Sequence, residues 1–166
     1  MNRYPIFFLF VLFGFSGLQS GCNPVPMNTI TDMEDSYDGI TKINLNGGAL
    51  EVSYTGKEDM ENVTIDAFVE ASDMDMEGVL VKKVGDELNV TFESGINGSF
   101  FSSLNVEGYI SLSGPIDMAL NIHNSSGTME VSNVSNDEIV LTGNSGKVEG
   151  KDLTSPDLRV KISSGK

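Results

Sequence analysis

The stretch "NSSGTMEV", Asn124–Val131, returns nineteen residues later as "GNSGKVEG", Gly143–Gly150, and a third copy, "ISSGK", opens at Ile162. The same interval aligns residues on either side. Leu120, Ile139 and Leu158 form one column, and Ile122, Leu141 and Val160 form another. Ser126, Ser145 and Ser164 make a third, with Gly127, Gly146 and Gly165 beside them. Met129 matches Val148, and Val134 matches Leu153. A β-meander with Gly turns would hold its turn spacing only loosely and would not keep apolar and polar positions aligned together. The interval reads as the perimeter of one coil.

Each coil is predicted to carry a strand whose alternate side chains point inward, because successive residues of a strand face opposite ways. A Ser-Gly corner then turns the chain, Gly supplying a backbone conformation that a Cβ penalises. A second short strand follows, "TMEV" in one coil and "KVEG" in the next. The chain returns about 4.8 Å above its start, paired through parallel backbone hydrogen bonds. One coil cannot bury its own apolar side, so the unit must repeat. The Ser hydroxyls at the corner are expected to bond neighbouring backbone groups.

The preceding chain has the same strand character without the strict interval. "ITKINL", "ALEVSY", "NVTIDAFVEA", "GVLVKKV" and "ELNVTF" alternate or are rich in β-branched residues, and "NGG", "TGKED" and "VGDE" separate them. No segment offers a helical stripe. "SGINGSFFSSLN" reads as a loop, after which "EGYISLSGP" and "IDMALNIHN" resume the strands.

The N-terminus reads differently. "MNRYPIFFLFVLFGFSGLQSGC" has a basic start at Arg3, an apolar run from Tyr4 to Phe15 and small residues leading to Cys22. That is the layout of an export signal, with an apolar core short for a membrane span. Cys22 is the single cysteine, so no disulfide can form within the chain. Its place after "LQSG" resembles a bacterial lipoprotein processing box, with Gln19 where an aliphatic residue is usual. The expectation is a signal peptide over 1–21, acylation of Cys22, and a flexible tether over 22–36, "NPVPMNTITDMEDS" supplying most of it. Acyl chains such as palmitate would hold the protein to a membrane at roughly 0.8 kcal/mol per buried methylene.

Arg3 is the only charge in residues 1–21, so losing that segment makes the formal net charge of −14 more negative by one. Nucleic acid and anionic headgroups are repelled by such a chain. Between Asp32 and Glu77 there are 13 acids against Lys42 and Lys57, a density expected of a solvated face.

"NSSGTMEVSNVSNDEIVLTGNSGKVEGKDLTSPDLRVKISSGK" is similar to the bacterial "putative adhesin" domains of unknown function, as is the preceding "ISLSGPIDMALNIHNSSG". The resemblance covers roughly Tyr37 to Lys166. It implies a parallel β-solenoid with rungs of about nineteen residues, preceded by a β-rich half, exported and anchored to the envelope. It carries over no catalytic residues. The family pattern continues with a strand where this chain stops at "SSGK", so the expectation is a truncated copy or an uncovered last rung with an unpaired edge.

Candidate chemistry is sparse. "DMDMEG", Asp73–Gly78, imitates the start of a calcium loop, but the twelfth position is Val84 rather than a bidentate Glu. His123 is the only histidine and shares an outward column with Thr142 and Lys161, so neither a His/Cys metal cluster nor a Ser-His-Asp triad can be assembled. Arg159, aligned with Asn121 and Val140, has no acidic ladder of the kind a polysaccharide lyase on a β-helix would need. Phe100 and Phe101 in "SFFSS" are the one exposed-looking aromatic pair, expected as core or a rung cap before a glycan platform. The reading is an all-β parallel β-solenoid domain over 37–166, non-catalytic, without cofactor or metal. It would act as an envelope lipoprotein, on the periplasmic or surface face of the outer membrane, serving as an adhesion scaffold or binding surface for an unknown protein or glycan. The alternative is a lyase-like enzyme or a polysaccharide-binding module on the same fold.

Overall fold

Alternating aliphatic and polar residues turn most of the described residues into strands. The structure, a computed structural model, describes residues 26–72, 78–93 and 105–165. Twelve strands follow in order: β1 (Asn28–Tyr37), β2 (Lys42–Asn46), β3 (Glu51–Lys57), β4 (Val63–Ala71), β5 (Gly78–Val84) and β6 (Glu87–Glu93). Then come β7 (Val106–Pro115), β8 (Ala119–Asn124), β9 (Thr128–Ser135), β10 (Glu138–Gly143), β11 (Lys147–Thr154) and β12 (Asp157–Ile162). The described residues contain no helix. Cys22 and the signal segment lie outside them, as do Asp73–Glu77 of "DMDMEG" and the Phe100–Phe101 pair.

The strands form two six-stranded sheets. One, the β3 sheet, runs β1-β4-β7-β3-β9-β11; the other, the β2 sheet, runs β12-β10-β8-β2-β6-β5. The nineteen-residue columns are ladders: Leu120 pairs with Ile139 and Ile139 with Leu158, while Ile122, Leu141 and Val160 align beside them. On the facing sheet Met129 pairs with Val148 and Val134 with Leu153. All these pairings are parallel.

The whole is not the uniform parallel stack preceded by a separate half that the sequence suggested. Both sheets are mixed. β1 and β4 add antiparallel strands to one end of the β3 sheet, and β5 does the same beside β6. The order in space is also not the order in sequence. β2 and β3 sit inside the stack, β2 between β6 and β8, β3 between β7 and β9. Against β8 and β9 they keep a constant offset of 77 residues in both sheets. The pair β2–β3 is therefore another copy of the repeated unit, disguised because its corner is Gly47-Gly48-Ala49-Leu50 rather than Ser-Ser-Gly. Backbone pairing accepts any strand with matching length and inward residues, so a copy far away in sequence can be inserted between two others.

A second difference concerns the tether. Residues from Asn28 onward form β1, which pairs antiparallel with β4 from Asn28↔Ala71 to Tyr37↔Val63 with a bulge between Thr29 and Thr31. An edge strand is held by backbone bonds on one side and needs few apolar residues; Ile30, Met33 and Tyr37, half-buried against the core, suffice.

Side chains from both sheets share one core. Ile43, Leu88, Leu120 and Ile139 come from the β2 sheet, and Val52, Ile65, Ile110 and Met129 face them from the other. Each is buried essentially completely, and truncating such a residue costs about 2–5 kcal/mol. Tyr54 is buried in this layer because its hydroxyl donates to the Pro115 carbonyl at 2.6 Å. Burial, reinforced by Asp117, pushes its phenol well above the ordinary tyrosine range. At the open end, Leu158 and Val160 of β12 continue the inward columns yet stay 43 % and 50 % exposed. Among the described residues no strand of the β3 sheet lies beyond β11 to cover them.

The corners explain the recurring Ser-Gly. Amide N–H groups of Asn144 and Ser145 donate to the carbonyls of Asn124 and Ser125, and those of Ser163 and Ser164 donate to Gly143 and Asn144. The expected hydroxyl contribution is smaller: Ser145 Oγ donates to the Ser125 carbonyl at 3.1 Å, but the backbone makes most of the bonds. Asn124, the one buried polar side chain among the described residues, donates from Nδ2 to the Leu50 carbonyl at 3.0 Å and ties two corners together. Gly146 has φ +102°, and a Cβ there would stand 2.1 Å from the Gly127 carbonyl oxygen. Neither defect can relax without separating two rungs. We expect Gly146→Ala to lower stability by at least about 2 kcal/mol, measured by chemical denaturation. The unstrained Gly143→Ala, with a nearest contact at 3.4 Å, should cost clearly less.

Candidate functional site

With the inward residues committed to the core, the outer faces of the two sheets carry the side chains available to a partner. Register fixes how they align, because residues paired across strands point the same way. On the β2 sheet one row reads Arg159, Val140, Asn121, Asn44, Asn89, Lys82, and the next reads Lys161, Thr142, His123, Asn46, Thr91, Leu80. A third row holds Asp157, Glu138, Ala119, Lys42, Glu87 and Val84. The first two cross all six strands without a carboxylate, in a chain with 24 acids.

The centre of the first row is a ladder of amides. Asn44 donates from Nδ2 to Asn89 Oδ1 at 3.1 Å and receives a bond from Asn121 Nδ2 at 3.5 Å. Its Nδ2 also lies 3.4 Å from Glu87 Oε2. Side-chain amides can chain in this way because each carries donors and an acceptor. The ladder is polarised: every bond donates toward β6. That leaves an acceptor oxygen at the Asn121 end and donor hydrogens at the Asn89 end. An open hollow of about 190 Å³ lies over the ladder, lined by Asn44, Asn46, Asn89, Thr91, Asn121 and His123.

The outer face of the β3 sheet differs in charge and chemistry. Asp32, Glu34, Asp66, Glu51, Glu130 and Glu149 occupy two of its rows. Ser36, Thr64, Ser113, Thr55 and Ser132 form a row of hydroxyls. Ser53 donates to Ser111 at 3.0 Å, and Ser132 donates to Thr55 at 3.3 Å. Tyr109 stacks on Phe68 with ring centroids 6.4 Å apart, and its hydroxyl donates to Asp66 Oδ1 at 3.1 Å. That bond, then desolvation and the charges of Asp66 and Asp32, raises the Tyr109 phenol above its ordinary range. A hollow of about 310 Å³ opens over Glu51, Asp66, Tyr109 and Glu130. A larger one of about 440 Å³ lies where Asn133 and Asp152, at φ +55° and +52°, bend β9 and β11 beside Gly56.

Arg159 aligns with Val140, and Val140 with Asn121, as the repeat required. Its guanidinium donates to Asp157, through Nε at 2.9 Å and through Nη2 at 2.5 Å, and that pairing raises its pKa further. His123 stands half-exposed in the outward column with Thr142 and Lys161. Among the described residues no group of three or more His, Cys, Asp or Glu is placed to hold a metal ion.

The amide ladder went unread in the sequence, although a signal was present. Ile43-Asn44-Leu45, Leu88-Asn89-Val90 and Leu120-Asn121-Ile122 are the same aliphatic-Asn-aliphatic triplet. Their spacings are unequal, and only the inserted position of β2 brings the three together.

No protein-family description matches the chain, and neither does any curated protein. Among solved structures it is similar to a "putative cell adhesion protein" from Clostridium sporogenes, over 82% of this chain and 100% of that one, at 11% identity and a TM-score of 0.38. It is also similar to a "putative adhesin" from Parabacteroides distasonis, over 84% of this chain and 66% of that one, at 12% identity and a TM-score of 0.36.

The ladder makes a direct stability prediction. Asn44→Asp places a carboxylate beside Glu87 and removes the bond to Asn89. We expect about 1 kcal/mol of destabilisation at pH 7, from the lost amide bond together with the repulsion of two carboxylates placed diagonally on the sheet. The loss should shrink near pH 4, where carboxylates take up protons, as read from melting curves at the two pH values.

Proposed function

We propose that the protein is a non-catalytic scaffold of the bacterial cell envelope, held to a membrane by a lipid on Cys22 and presenting its outer sheet faces to a binding partner. We read the stacked strand pairs β6–β7, β2–β3, β8–β9 and β10–β11, with β12 above them, as rungs of a parallel β-solenoid that β1, β4 and β5 cap at one end. The observation that carries the reading is the regularity of the outer faces. Short polar side chains stand in straight rows, fixed by backbone ladders beneath them, as an extended binding surface requires. Part of the charge on these faces is engaged in pairs, Arg159–Asp157, Lys42–Glu138 and Lys147–Glu149, which supports a surface role over convergent acid–base chemistry. Membrane attachment is supported by the sequence around Cys22.

Replacing Cys22 with Ser in the full chain separates the parts of this proposal. The variant is expected to leave the membrane fraction and to lack the mass of acyl chains. A variant that stays membrane-bound with unchanged mass overturns the anchor. Bacteria carrying the native chain should clump, or be retained on a washed surface, more than bacteria carrying the Cys22→Ser chain. Equal retention of the two overturns the adhesive role.

A further inference from the structure

We infer that the asparagine ladder on the outer face of the β2 sheet binds an extended, carboxylate-bearing polysaccharide; this deepens the scaffold reading and rests on it. The first ground is charge. Two full rows of six positions exclude carboxylates, yet the chain is strongly acidic and the opposite sheet carries Asp32, Glu34, Glu51, Asp66, Glu130 and Glu149 on its outer face. The strip ends in cations at both edges, Lys82 on β5 and Arg159 with Lys161 on β12, and carboxylates of the adjoining row reach it at two points, Glu87 at Asn44 and Asp157 at Arg159. Lys82 and Lys161 make no ion pair among the described residues, whereas Lys42, Lys83 and Arg159 are paired with Glu138, Asp38 and Asp157.

The second ground is hydrogen-bonding chemistry. A side-chain amide offers donor and acceptor together and can bond two adjacent sugar hydroxyls. The ladder's polarity places donor hydrogens of Asn89 next to Lys82, its direct cross-strand partner. That pair suits a carboxylate, joining a charge to a neutral donor. Toward Asn121 the ladder presents acceptors, with His123 and Thr142 alongside, and suits hydroxyls. The third ground is spacing. Strands repeat every ~4.8 Å, so the strip is a linear lattice with a step comparable to one sugar unit, about 24 Å long over its five steps. A protein partner is less suited, because the strip has none of the Trp or Tyr anchors that dominate protein interfaces. Nucleic acid is less suited, because the strip has no Phe, Tyr or Trp on which a base could stack.

Affinity electrophoresis of the purified full chain tests this, with polygalacturonate cast in one gel, the same polymer after carboxyl reduction in a second, and dextran in a third. Retardation is expected with polygalacturonate alone, weakening as salt is added. Lys82→Glu and Asn89→Ala should each weaken it at least tenfold. Lys57→Glu, the same charge change on the other sheet, should leave it unaltered, and melting curves should show all three variants folded. Absence of retardation in polygalacturonate, equal retardation by the neutral polymers, or an equal loss with Lys57→Glu overturns the inference. So does a self-complex of the chain alone that Lys82→Glu abolishes, since the acidic sheet of a second copy would then occupy the strip. Each of these outcomes leaves the cell-retention comparison standing. Polymer recovered at reduced length counts against the non-catalytic reading instead.

Discussion

The fold depends on one constraint: every pair of strands must lie directly on its neighbour, in register, with a corner that occupies no more height than a strand. Backbone bonds set that height at about 4.8 Å. A Cβ at the inner corner would enter a carbonyl of the neighbouring corner, as the Gly127–Gly146–Gly165 column demonstrates. Once the corner is that thin, aliphatic columns stack without gaps and Leu120, Ile139 and Leu158 share one line. The outer faces follow from the same constraint, since alternation sends each residue between two inward ones to solvent.

The two outer faces have diverged on a common frame. One carries a row of amides between cations, with its carboxylates confined to a neighbouring row; the other carries carboxylates and hydroxyls beside a stacked Phe68–Tyr109 pair. Neither face is free to change its spacing, so only side-chain chemistry separates them. On such a body the side chains open to a partner stand in rows, and no compact sequence motif marks them. The rigidity of the frame matters too. A ladder of three asparagines is useful to a ligand only if the amides are held in place, and Asn44 is held from both sides.

Some of this was legible in advance. The spacing of Leu120, Ile139 and Leu158 identified true ladder partners, and the outward column of His123, Thr142 and Lys161 was assigned from register alone. The tether expected over 22–36 is in part a strand: Asn28–Tyr37 pairs with β4, and its polar outer residues leave no apolar alternation to show it. The corner hydroxyls were overvalued against backbone amides, which need no particular side chain and so leave no mark in the sequence. The copy without a Ser-Gly corner, β2–β3, carries no corner mark of its membership in the sequence, because its corner is built from Gly47, Gly48 and Ala49.

The sequence by itself determined the all-β character, the nineteen-residue register and which face of each later strand turns inward. These are consequences of local alternation and of a repeat between neighbours in the chain. Only the tertiary structure decided that β2–β3 inserts between β6–β7 and β8–β9, that β1, β4 and β5 run antiparallel at one end, and that Asn44, Asn89 and Asn121 form a ladder. Strand pairing is made by backbone groups common to every residue, so the choice among compatible partners rests on how the assembled inward columns pack. That packing is a property of the whole core, and no short stretch of sequence contains it.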